Sequence, residues 1–341
     1  MRVFLPTFLF VLLARVALAE VPLSSNQSAF HNELAAEVAA LETKNASVAV
    51  GADGWLFLSG ELRFLAKGRF WGEAAAKTGR TRKTEWADPI PAIVDFQRQL
   101  RERGIALVLV PVPPKAAIYP EKIGLQASVM PSDSAPYLQE FYGELKRRGV
   151  DVLDLTPTFA AHRDDARGPL YCRTDSHWSG AGCVLAAQTI AQQVRKILTA
   201  EPARATYRTD WKQVAIDGDL VSLGGAKKSG AEQIAVREIA GGVQPDANSP
   251  VLLLGDSHTL VFHEFLGERG GLLDQLAAEL GFAPDLIGTR GSGATAVRLS
   301  LYRKTRSDPG YLAKKKIVIW CFAAREFTEA DQGWVVQPIA K

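Results

Sequence analysis

Val251-Leu252-Leu253-Leu254 is an apolar run that leads through Gly255 into Asp256, Ser257 and His258, ahead of a helical stretch. A strand that passes through glycine into serine presents the hydroxyl at the edge of a sheet, beside backbone N–H groups. The alternative is a common turn in which the serine only caps a helix. The stretch predicts a buried strand with a candidate nucleophile, Ser257, at its carboxyl end.

Four further apolar runs are typical of buried strands, and three of the strands follow an amphipathic helix that ends at glycine. The predicted strands cover residues 105–112, 150–155, 251–254, 285–287 and 317–322. The helices before them are predicted at 91–103, 137–148 and 272–280, with others at 28–44 and 180–198. Strands that are apolar throughout and alternate with helices indicate a doubly wound α/β fold. We expect a five-stranded, mostly parallel sheet with helices on both faces.

The first residues have the layout of an export signal. Arg2 precedes an apolar run at 3–14, and Ala17-Leu18-Ala19 is a small-x-small cleavage sequence. The run is shorter than the ~20 residues that span a bilayer, which favours a cleaved signal peptide at 1–19 over an uncleaved anchor. We therefore expect a periplasmic or extracellular location. Residues 20–341 are predicted to form a single domain with an irregular or β-rich insertion at about 199–248.

The charge of the chain is nearly balanced, with 40 Lys and Arg against 37 Asp and Glu and a formal net charge of +3. The 47% hydrophobic content excludes a disordered protein. The basic clusters at 314–316 and at Arg80, Arg82 and Lys83 are interpreted as solvated surface, so no nucleic-acid partner is predicted. A slight positive excess suits a polyanionic substrate.

A second polar cluster, Asp175-Ser176-His177-Trp178-Ser179, precedes the helix predicted at 180–198. The spacing Asp-x-His in an extended turn puts both side chains on one side. The carboxylate can then orient the imidazole and stabilise its protonated form, as in a hydrolase triad. The alternative interpretation is an exposed loop whose Asp175 or Ser179 caps the next helix.

The same region contains residues that could bind a metal ion or form a disulfide. A conceivable metal set consists of Asp175, His177, His258 and His263. No dedicated zinc spacing such as His-Glu-x-x-His is present, so neither a metal nor another cofactor is predicted. Cys172 and Cys183 flank the Asp-x-His segment, and a disulfide between them would clamp it onto the next helix. Three unpaired thiols, with Cys321 in a strand, are an equal alternative.

The two motifs together resemble the SGNH-like domain of bacterial alginate O-acetyltransferases, the AlgJ/AlgX type. Three further segments resemble that family: Gly51-Ala52-Asp53-Gly54-Trp55-Leu56-Phe57-Leu58, Pro111-Val112-Pro113-Pro114-Lys115 with Tyr119-Pro120, and Ile317-Val318-Ile319-Trp320 with Arg325-Glu326. The resemblance extends over roughly residues 45–330 and includes the order of the motifs. It implies an SGNH hydrolase-like fold and the transfer of acetyl groups to an exported polysaccharide.

The resemblance also implies roles for individual residues. Ser257, His177 and Asp175 match the family triad, with the acid and the histidine before the serine in the chain. The oxyanion would be held by the Ser257 N–H and by a glycine N–H from the turn that contains Gly291 and Gly293. The alternative for this turn is a plain connection between a strand and a helix.

Other residues are candidates for substrate contacts. Four of them could bind an anionic polymer: Lys115, Tyr119, Arg173 and Arg325. Trp55, Trp178 and Trp320 are candidate sugar platforms, although we expect core packing for Trp320 and packing against His177 for Trp178. His258 stands where the resemblance leads us to expect a bulky residue, which predicts a different acceptor pocket.

The implied partners are a polysaccharide acceptor, a membrane-bound O-acyltransferase that supplies acetyl groups, and other export-complex proteins. Because the chain ends at Lys341, we expect the single-domain, AlgJ-like arrangement without the carbohydrate-binding module of the AlgX type. Two alternatives stay open. One is a carbohydrate acetylesterase that uses the same triad with water as the acceptor. The other is a non-catalytic polysaccharide-binding subunit of an export complex.

Overall fold

The computed structural model of the chain describes residues 22–125, 133–199, 205–224 and 230–340. The predicted signal peptide at 1–19 lies outside the described residues. Within those four ranges, no helix is both long enough and apolar enough to cross a membrane.

The secondary structure follows the predicted alternation of helices and strands. The strands are β1 Val48–Val50, β2 Leu56–Leu58, β3 Ala106–Val112, β4 Asp151–Val152, β5 Thr209–Ile216, β6 Glu232–Ile239, β7 Val251–Gly255, β8 Asp285–Gly288 and β9 Ile317–Ala323. The α-helices are α1 Ser25–Thr43, α2 Ser59–Ala66, α3 Ala75–Thr78, α4 Pro89–Arg101, α5 Lys115–Ile118, α6 Pro136–Arg147, α7 Thr156–Ala161, α8 Gly180–Ile197, α9 Asp219–Leu223, α10 Leu272–Leu280, α11 Thr295–Ser307 and α12 Glu326–Glu329.

The central sheet has five parallel strands in the order β4-β3-β9-β7-β8. Every residue of β7 and β9 is buried, so both faces of the sheet are covered. The predicted five-stranded α/β fold is confirmed. Because all five strands run in one direction, their carboxyl ends lie at one edge, where ligands bind in open α/β sheets.

Strand β4 is shorter than predicted. It contains only Asp151–Val152, whereas the apolar pattern predicted a strand over 150–155. Beyond this edge strand, an Asp154 carboxylate oxygen accepts a hydrogen bond of 2.9 Å from the Thr156 N–H. This bond turns the chain into α7, which begins at Thr156 with proline in its first turn.

The segment predicted as an irregular or β-rich insertion contains an antiparallel hairpin. Strands β5 and β6 pair in register from Thr209–Ile239 to Ile216–Glu232, and α9 lies between them. Strand β6 packs against α8 and α10. The contact with α8 is close: a Cβ atom on Gly180 would lie 2.3 Å from the Ala235 carbonyl oxygen. Glycine at the start of α8 is therefore required for the hairpin to dock.

The stretch 47–59, expected to be extended and rich in turns, forms the small antiparallel pair β1–β2. A short turn at Ala52–Gly54 joins the strands, with Asp53 in the left-handed region at φ 53°. The pair leads directly into α2. It brings the backbone of Leu56 next to the segment that contains Asp175, because the Leu56 N–H donates to the Arg173 carbonyl at 2.8 Å.

Candidate active site

Ser257 lies where β7 leaves the sheet, as the sequence predicted, and begins a single turn of 3₁₀ helix. The strand approaches its neighbour closely at this point. A Cβ on Gly255 would lie 2.0 Å from the Cys321 carbonyl oxygen, so only glycine fits before the turn. Unlike its neighbours in the chain, Ser257 is only partly buried, so its hydroxyl remains accessible at the carboxyl edge.

Ser257, His177 and Asp175 form one hydrogen-bonded chain. The distance from His177 Nε2 to Ser257 Oγ is 2.8 Å, and the distance from His177 Nδ1 to Asp175 Oδ1 is 2.7 Å. A carboxylate can only accept, so Nδ1 carries the proton and Nε2 is left to accept from the serine hydroxyl. The structure thus brings together the three residues that the sequence singled out, in the order that proton transfer from serine requires.

Asp175 is 1% exposed and is surrounded by donors. One carboxylate oxygen also accepts the His177 N–H at 3.0 Å, and the other accepts the Asp219 N–H at 2.9 Å. Burial works to raise the pKa of Asp175, but the hydrogen bonds and the charge of His177 outweigh it and lower this pKa. The carboxylate therefore stays ionised and keeps the imidazole oriented.

Asp219, from α9 in the inserted hairpin, is a functional residue that the sequence did not reveal. Its two carboxylate oxygens accept from the Ser176 N–H at 2.8 Å and from the Ser176 hydroxyl at 2.6 Å. Burial and the neighbouring Asp175 carboxylate raise the pKa of Asp219. Because Ser176 separates Asp175 from His177, this contact fixes the turn between the acid and the base.

Glu232, the first residue of β6, holds the beginning of the same loop. Its carboxylate accepts the N–H groups of Arg173 and Thr174, both at 2.8 Å, and the Thr174 hydroxyl at 2.7 Å. The hairpin thus contacts the Asp-x-His segment on both sides of Asp175. No local signal announces this pairing, because some 58 residues separate the partners.

His258 lies directly behind the base. It is 2% exposed, and its ring centroid is 4.8 Å from that of His177 and 5.3 Å from that of Trp178. Burial lowers the pKa of His258 to about 4, against the opposing effect of Asp256. The neutral ring packs against the imidazole that accepts the proton. This burial places His258 in packing rather than in the open acceptor pocket where the sequence suggested it.

Asp256 supports the serine from the other side. Its carboxylate accepts the His258 N–H at 2.9 Å and the Ala323 N–H at 2.8 Å, which joins the Ser257 turn to the end of β9. Burial works to raise the pKa of Asp256, but His258, the Ala323 N–H and Arg325 together lower it. The negative charge is therefore retained beneath the serine.

Lys115 lies in the interior of the protein, not at the surface where we expected it to contact a polymer. It is 1% exposed, and its ammonium donates to the carbonyls of Leu56, Arg173 and Asp175 at 2.6, 3.0 and 3.1 Å. Burial lowers the pKa of Lys115 to about 8, so the ammonium remains charged at neutral pH. All three of its donors are used, so Lys115 does not reach a polymer. It ties β2 to the loop that contains Asp175.

Tyr119 and the three tryptophans are also buried. The Tyr119 hydroxyl donates to the Arg163 carbonyl at 2.7 Å and accepts the Leu170 N–H at 2.8 Å, which leaves it no role in polymer binding. Trp55 is 4% exposed, which removes it as an open sugar platform, and Trp178 and Trp320 are fully buried. The expected core position of Trp320 is confirmed, whereas the Trp178 ring packs against His258 and not, as expected, against His177.

The glycine-rich turn after β8 does reach the same edge of the sheet. Gly291 is exposed with φ of +86°, and a Cβ on Gly293 would lie 3.1 Å from the Asp256 Cβ. The Gly293 N–H, however, faces the Glu326 carboxylate, which also accepts the Ser292 hydroxyl at 3.2 Å. Burial raises the pKa of Glu326 to about 7. Glu326 therefore orients the turn from which an oxyanion donor was predicted.

Two predicted substrate-binding arginines differ in their surroundings. The Arg173 side chain is half exposed and lies 3.6 Å from Glu232. Arg325 lies at the carboxyl end of β9, and within the part of the chain that the structure describes its guanidinium donates no hydrogen bond. Its buried Nη1 atom has no partner there. Arg325 and Gly291 line one cavity of about 540 Å³.

The side-chain atoms near His177 that could ligate a metal already take part in hydrogen bonds. The ligand atoms of Asp175, His177 and Asp219 lie within 4.8 Å of one another, but the two carboxylates already accept hydrogen bonds and His177 Nδ1 donates to Asp175. His263 Nδ1 is paired with Asp274 at 2.8 Å, so it too has a partner.

The three cysteines are buried free thiols. Of the two alternatives that the sequence left open, the structure therefore has the unpaired thiols and not a disulfide between Cys172 and Cys183.

The parallel sheet and the serine at the carboxyl end of β7 define an SGNH hydrolase-like α/β protein. The model of the family described as "SGNH hydrolase-like domain, acetyltransferase AlgX" matches residues 48–323. The chain belongs to this family, and the resemblance found in its motifs is confirmed.

Relatives with similar sequences include two proteins named probable alginate O-acetylase AlgJ. The Pseudomonas aeruginosa protein is 31% identical over 177 residues, which is 52% of this chain and 40% of that protein. The Azotobacter vinelandii protein is 23% identical over 314 residues, which is 85% of this chain and 74% of that protein. The matched region thus spans less than half of the Pseudomonas aeruginosa relative.

Two solved structures share the fold. The O-acetyltransferase domain of Pseudomonas putida AlgJ superposes with a TM-score of 0.62 at 23% identity, over 83% of this chain and 92% of that domain. Pseudomonas aeruginosa AlgX superposes with a TM-score of 0.57 at 18% identity, over 82% of this chain and 62% of AlgX. These likenesses show the common architecture.

Proposed function

We propose that this protein is a periplasmic O-acetyltransferase that moves acetyl groups onto sugar hydroxyls of an exported, alginate-like polysaccharide. The observation that carries the proposal is the hydrogen-bonded chain from Ser257 through His177 to Asp175, at 2.8 and 2.7 Å. Membership of the acetyltransferase family and relatives named alginate O-acetylase support the choice of acetyl group and polymer.

The first half-reaction forms an acetyl-serine. His177 Nε2 takes the hydroxyl proton as Ser257 Oγ attacks the acetyl carbonyl of an ester or thioester donor. The Asp175 carboxylate stabilises the resulting imidazolium. The tetrahedral oxyanion is stabilised by backbone N–H groups at the Ser257 turn, with the Gly291 N–H as the second candidate source, since the Gly293 N–H faces Glu326. The imidazolium then protonates the leaving group, and the bond between the carbonyl carbon and that group breaks.

The second half-reaction repeats these steps with a sugar hydroxyl as the attacking group. His177 removes the proton of this hydroxyl, the oxygen attacks the acetyl-serine, and the Ser257 oxygen leaves with the proton that His177 returns. Water in the same position would release acetate, which is the acetylesterase alternative. The acceptor therefore decides the outcome, while the three residues keep the same roles.

The proposed partners follow from this chemistry. The polysaccharide is the acceptor, and a membrane-bound O-acyltransferase is the proposed source of acetyl groups, alongside other proteins of an export complex. No cofactor is invoked, because serine, histidine and carboxylate can move the acetyl group and all the protons by themselves.

The experiment that tests the proposal supplies a chromogenic acetyl ester with and without alginate. We expect acetyl groups on the polymer by NMR, and one acetyl group on the peptide containing Ser257 by mass spectrometry. Ser257→Ala should lose both, while Ser307→Ala, an exposed serine at the end of α11, should keep both. Acetate release without polymer acetylation would favour the esterase. Activity retained by Ser257→Ala would refute the triad, and polymer binding without any acetyl chemistry would favour a binding subunit.

A further inference from the structure

A second cavity adjoins the one that Arg325 lines. The inner cavity, of about 540 Å³, contains Gly291, Arg325 and Arg80 in its lining. The outer cavity, of about 480 Å³, is lined by Arg80, Arg82, Lys83, Trp86 and Asp331, among others. Both volumes are in the range of about 300–1,000 Å³ that is usual for small-molecule sites. Because Arg80 lines both, the two cavities lie next to each other.

Ser257 does not itself line the inner cavity, but two segments that do line it adjoin the turn that contains Ser257. Gly291 lies two residues before Gly293, which packs against Asp256. Arg325 follows the end of β9, where the Ala323 N–H donates to Asp256 at 2.8 Å. Asp256 immediately precedes Ser257. A molecule held in the inner cavity is therefore held at the carboxyl edge that presents the serine hydroxyl.

The cations of the two cavities are only partly neutralised. Arg63 takes most of the Glu329 carboxylate, with hydrogen bonds of 3.2, 3.0 and 2.5 Å, and it also approaches Glu42 at 3.6 Å. Arg80 reaches Glu329 only at 3.9 Å. Within the described ranges, the side chains of Arg82, Lys83 and Arg325 have no carboxylate at ion-pair distance. The other lining carboxylates are the exposed Glu42, the buried Glu326 and Asp331, so the combined lining has five cationic side chains against four carboxylates.

The Arg325 guanidinium is the least satisfied of these cations. Burial raises the pKa values of Glu61 and Glu326, and the Arg325 charge opposes this rise and helps to lower the pKa of Asp256, so three carboxylates lie nearby without pairing with Arg325. An unpaired guanidinium next to a cavity calls for an anion, and the planar group of arginine matches a carboxylate with two parallel hydrogen bonds. Because burial raises the pKa of Glu326 to about 7, that residue opposes an incoming anion only in part.

The outer cavity has a fixed frame. The Arg80 N–H donates to the Thr328 carbonyl at 2.8 Å, and the Trp334 N–H donates to the Trp86 carbonyl at 2.7 Å. These two bonds pin the basic loop to the segment that follows Arg325. The Lys83 ammonium lies 3.9 Å from the centroid of the Trp86 ring. The side chains of Arg80, Arg82 and Lys83 are exposed, as the sequence predicted, and they form one wall of the outer cavity.

We propose that the two cavities joined at Arg80 form one groove, the basic groove, for a single strand of carboxylate-bearing polysaccharide. Arg325 lies at the end nearest Ser257, and Arg82 and Lys83 lie at the far end. Successive sugar carboxylates would meet Arg325, Arg80 and then the Arg82–Lys83 pair. As the acceptor path, the groove rests on the proposed function, but binding itself requires no acetyl transfer.

The test measures binding to the Ser257→Ala protein by titration calorimetry. The probes are alginate oligosaccharides of one defined length, carboxyl-reduced oligosaccharides of the same length, and inorganic phosphate. We expect binding of the acidic oligosaccharide that weakens as salt is added, and much weaker binding of the other two probes. Arg80→Gln and Arg325→Gln should each weaken binding about tenfold. Arg101→Gln removes an exposed charge that lines neither cavity and should have no effect.

Several results would overturn the groove. The groove would be refuted if Arg80→Gln and Arg325→Gln bound the acidic oligosaccharide as tightly as Arg101→Gln does. It would also be refuted if the carboxyl-reduced oligosaccharides bound with the same affinity as the acidic ones. Phosphate binding as tightly as the oligosaccharide would indicate a simple anion site. Thermal melts check that each variant is folded, and Arg80→Gln serves if Arg325→Gln is not. Absence of acetyl-serine in the wild type, with binding retained, would refute the proposed function alone.

Discussion

The backbone N–H of Asp219 donates to Oδ2 of Asp175 at 2.9 Å, although 44 residues separate the two. This bond crosses from the inserted hairpin to the loop that contains the proposed base. It completes the donors around the Asp175 carboxylate, whose other oxygen is held by His177. The hairpin is therefore part of the candidate site and not only a surface addition.

Replacing Asp219 by alanine keeps that backbone bond but removes both hydrogen bonds to Ser176. We expect Asp219→Ala to lower kcat for hydrolysis of a small acetyl ester about tenfold, with little change in KM, because His177 loses its fixed orientation. Asp210→Ala, an exposed carboxylate of the same hairpin, is the matched control. Equal kcat values for the two variants would contradict this role.

His258 should make stability depend on pH. Its pKa is lowered from 6.5 to about 4 in the folded protein, so between these values only the unfolded chain takes up the proton. The free energy of unfolding should therefore fall, by up to about 3 kcal/mol, as the pH is lowered through this window. The charged or titratable groups that face the ring are Asp256, His177 and Arg325.

Urea unfolding at a series of pH values measures this effect. His258→Asn should flatten the dependence between about pH 4 and 6.5, while replacing the exposed His162 by asparagine should leave the curve as in the wild type. A curve that is the same for all three proteins would count against the buried, neutral state of His258.

Lys115 should matter for stability as well as for activity. Methionine keeps the length of the side chain, but it leaves the carbonyls of Leu56, Arg173 and Asp175 without their shared donor. We expect Lys115→Met to lower the free energy of unfolding by about 3 kcal/mol. The measurement is urea unfolding against Lys196→Met, an exposed lysine of α8. Similar midpoints for the two variants would refute the tether.

The cysteines offer a test of the fold itself. Burial raises the pKa of Cys172, Cys183 and Cys321, so none should react with an alkylating reagent in the native protein. Alkylation after unfolding without a reductant should add three groups, counted by intact mass. One group instead of three would mean that two of the cysteines form a disulfide.

The sheet could be predicted from the sequence because the patterns that indicate its strands and helices are local in the chain. Apolar runs such as 251–254 and 317–322 predicted strands, and glycines such as Gly281 marked the ends of helices. The positions of Asp175, His177 and Ser257 followed from their place at strand ends and in loops beside them. Parallel strands place such ends at one edge whatever the intervening sequence.

The supporting residues were not readable, because their partners are distant in the chain. Nothing around Asp219 or Glu232 indicates a contact with residues 173–176. Lys115 was a candidate for binding an anionic polymer, and only the three-dimensional structure shows three carbonyls converging on its ammonium. The exposure of the Arg80 loop was predicted correctly, but its contact with residues 328–334 was not, since the two segments are far apart in the chain.

The docking of β6 onto α8 at Gly180 has a consequence for any attempt to simplify this protein. Excising the hairpin would leave the five-stranded sheet and Ser257 intact, but it would remove Asp219 and Glu232 together with their hold on the 173–177 segment. We expect such a shortened protein to keep the five-stranded sheet and to lose the proposed acetyl-transfer activity. The β5–β6 hairpin and the loop at residues 173–177 thus depend on each other. Engineered chimaeras of this fold should therefore exchange the loop and the hairpin together.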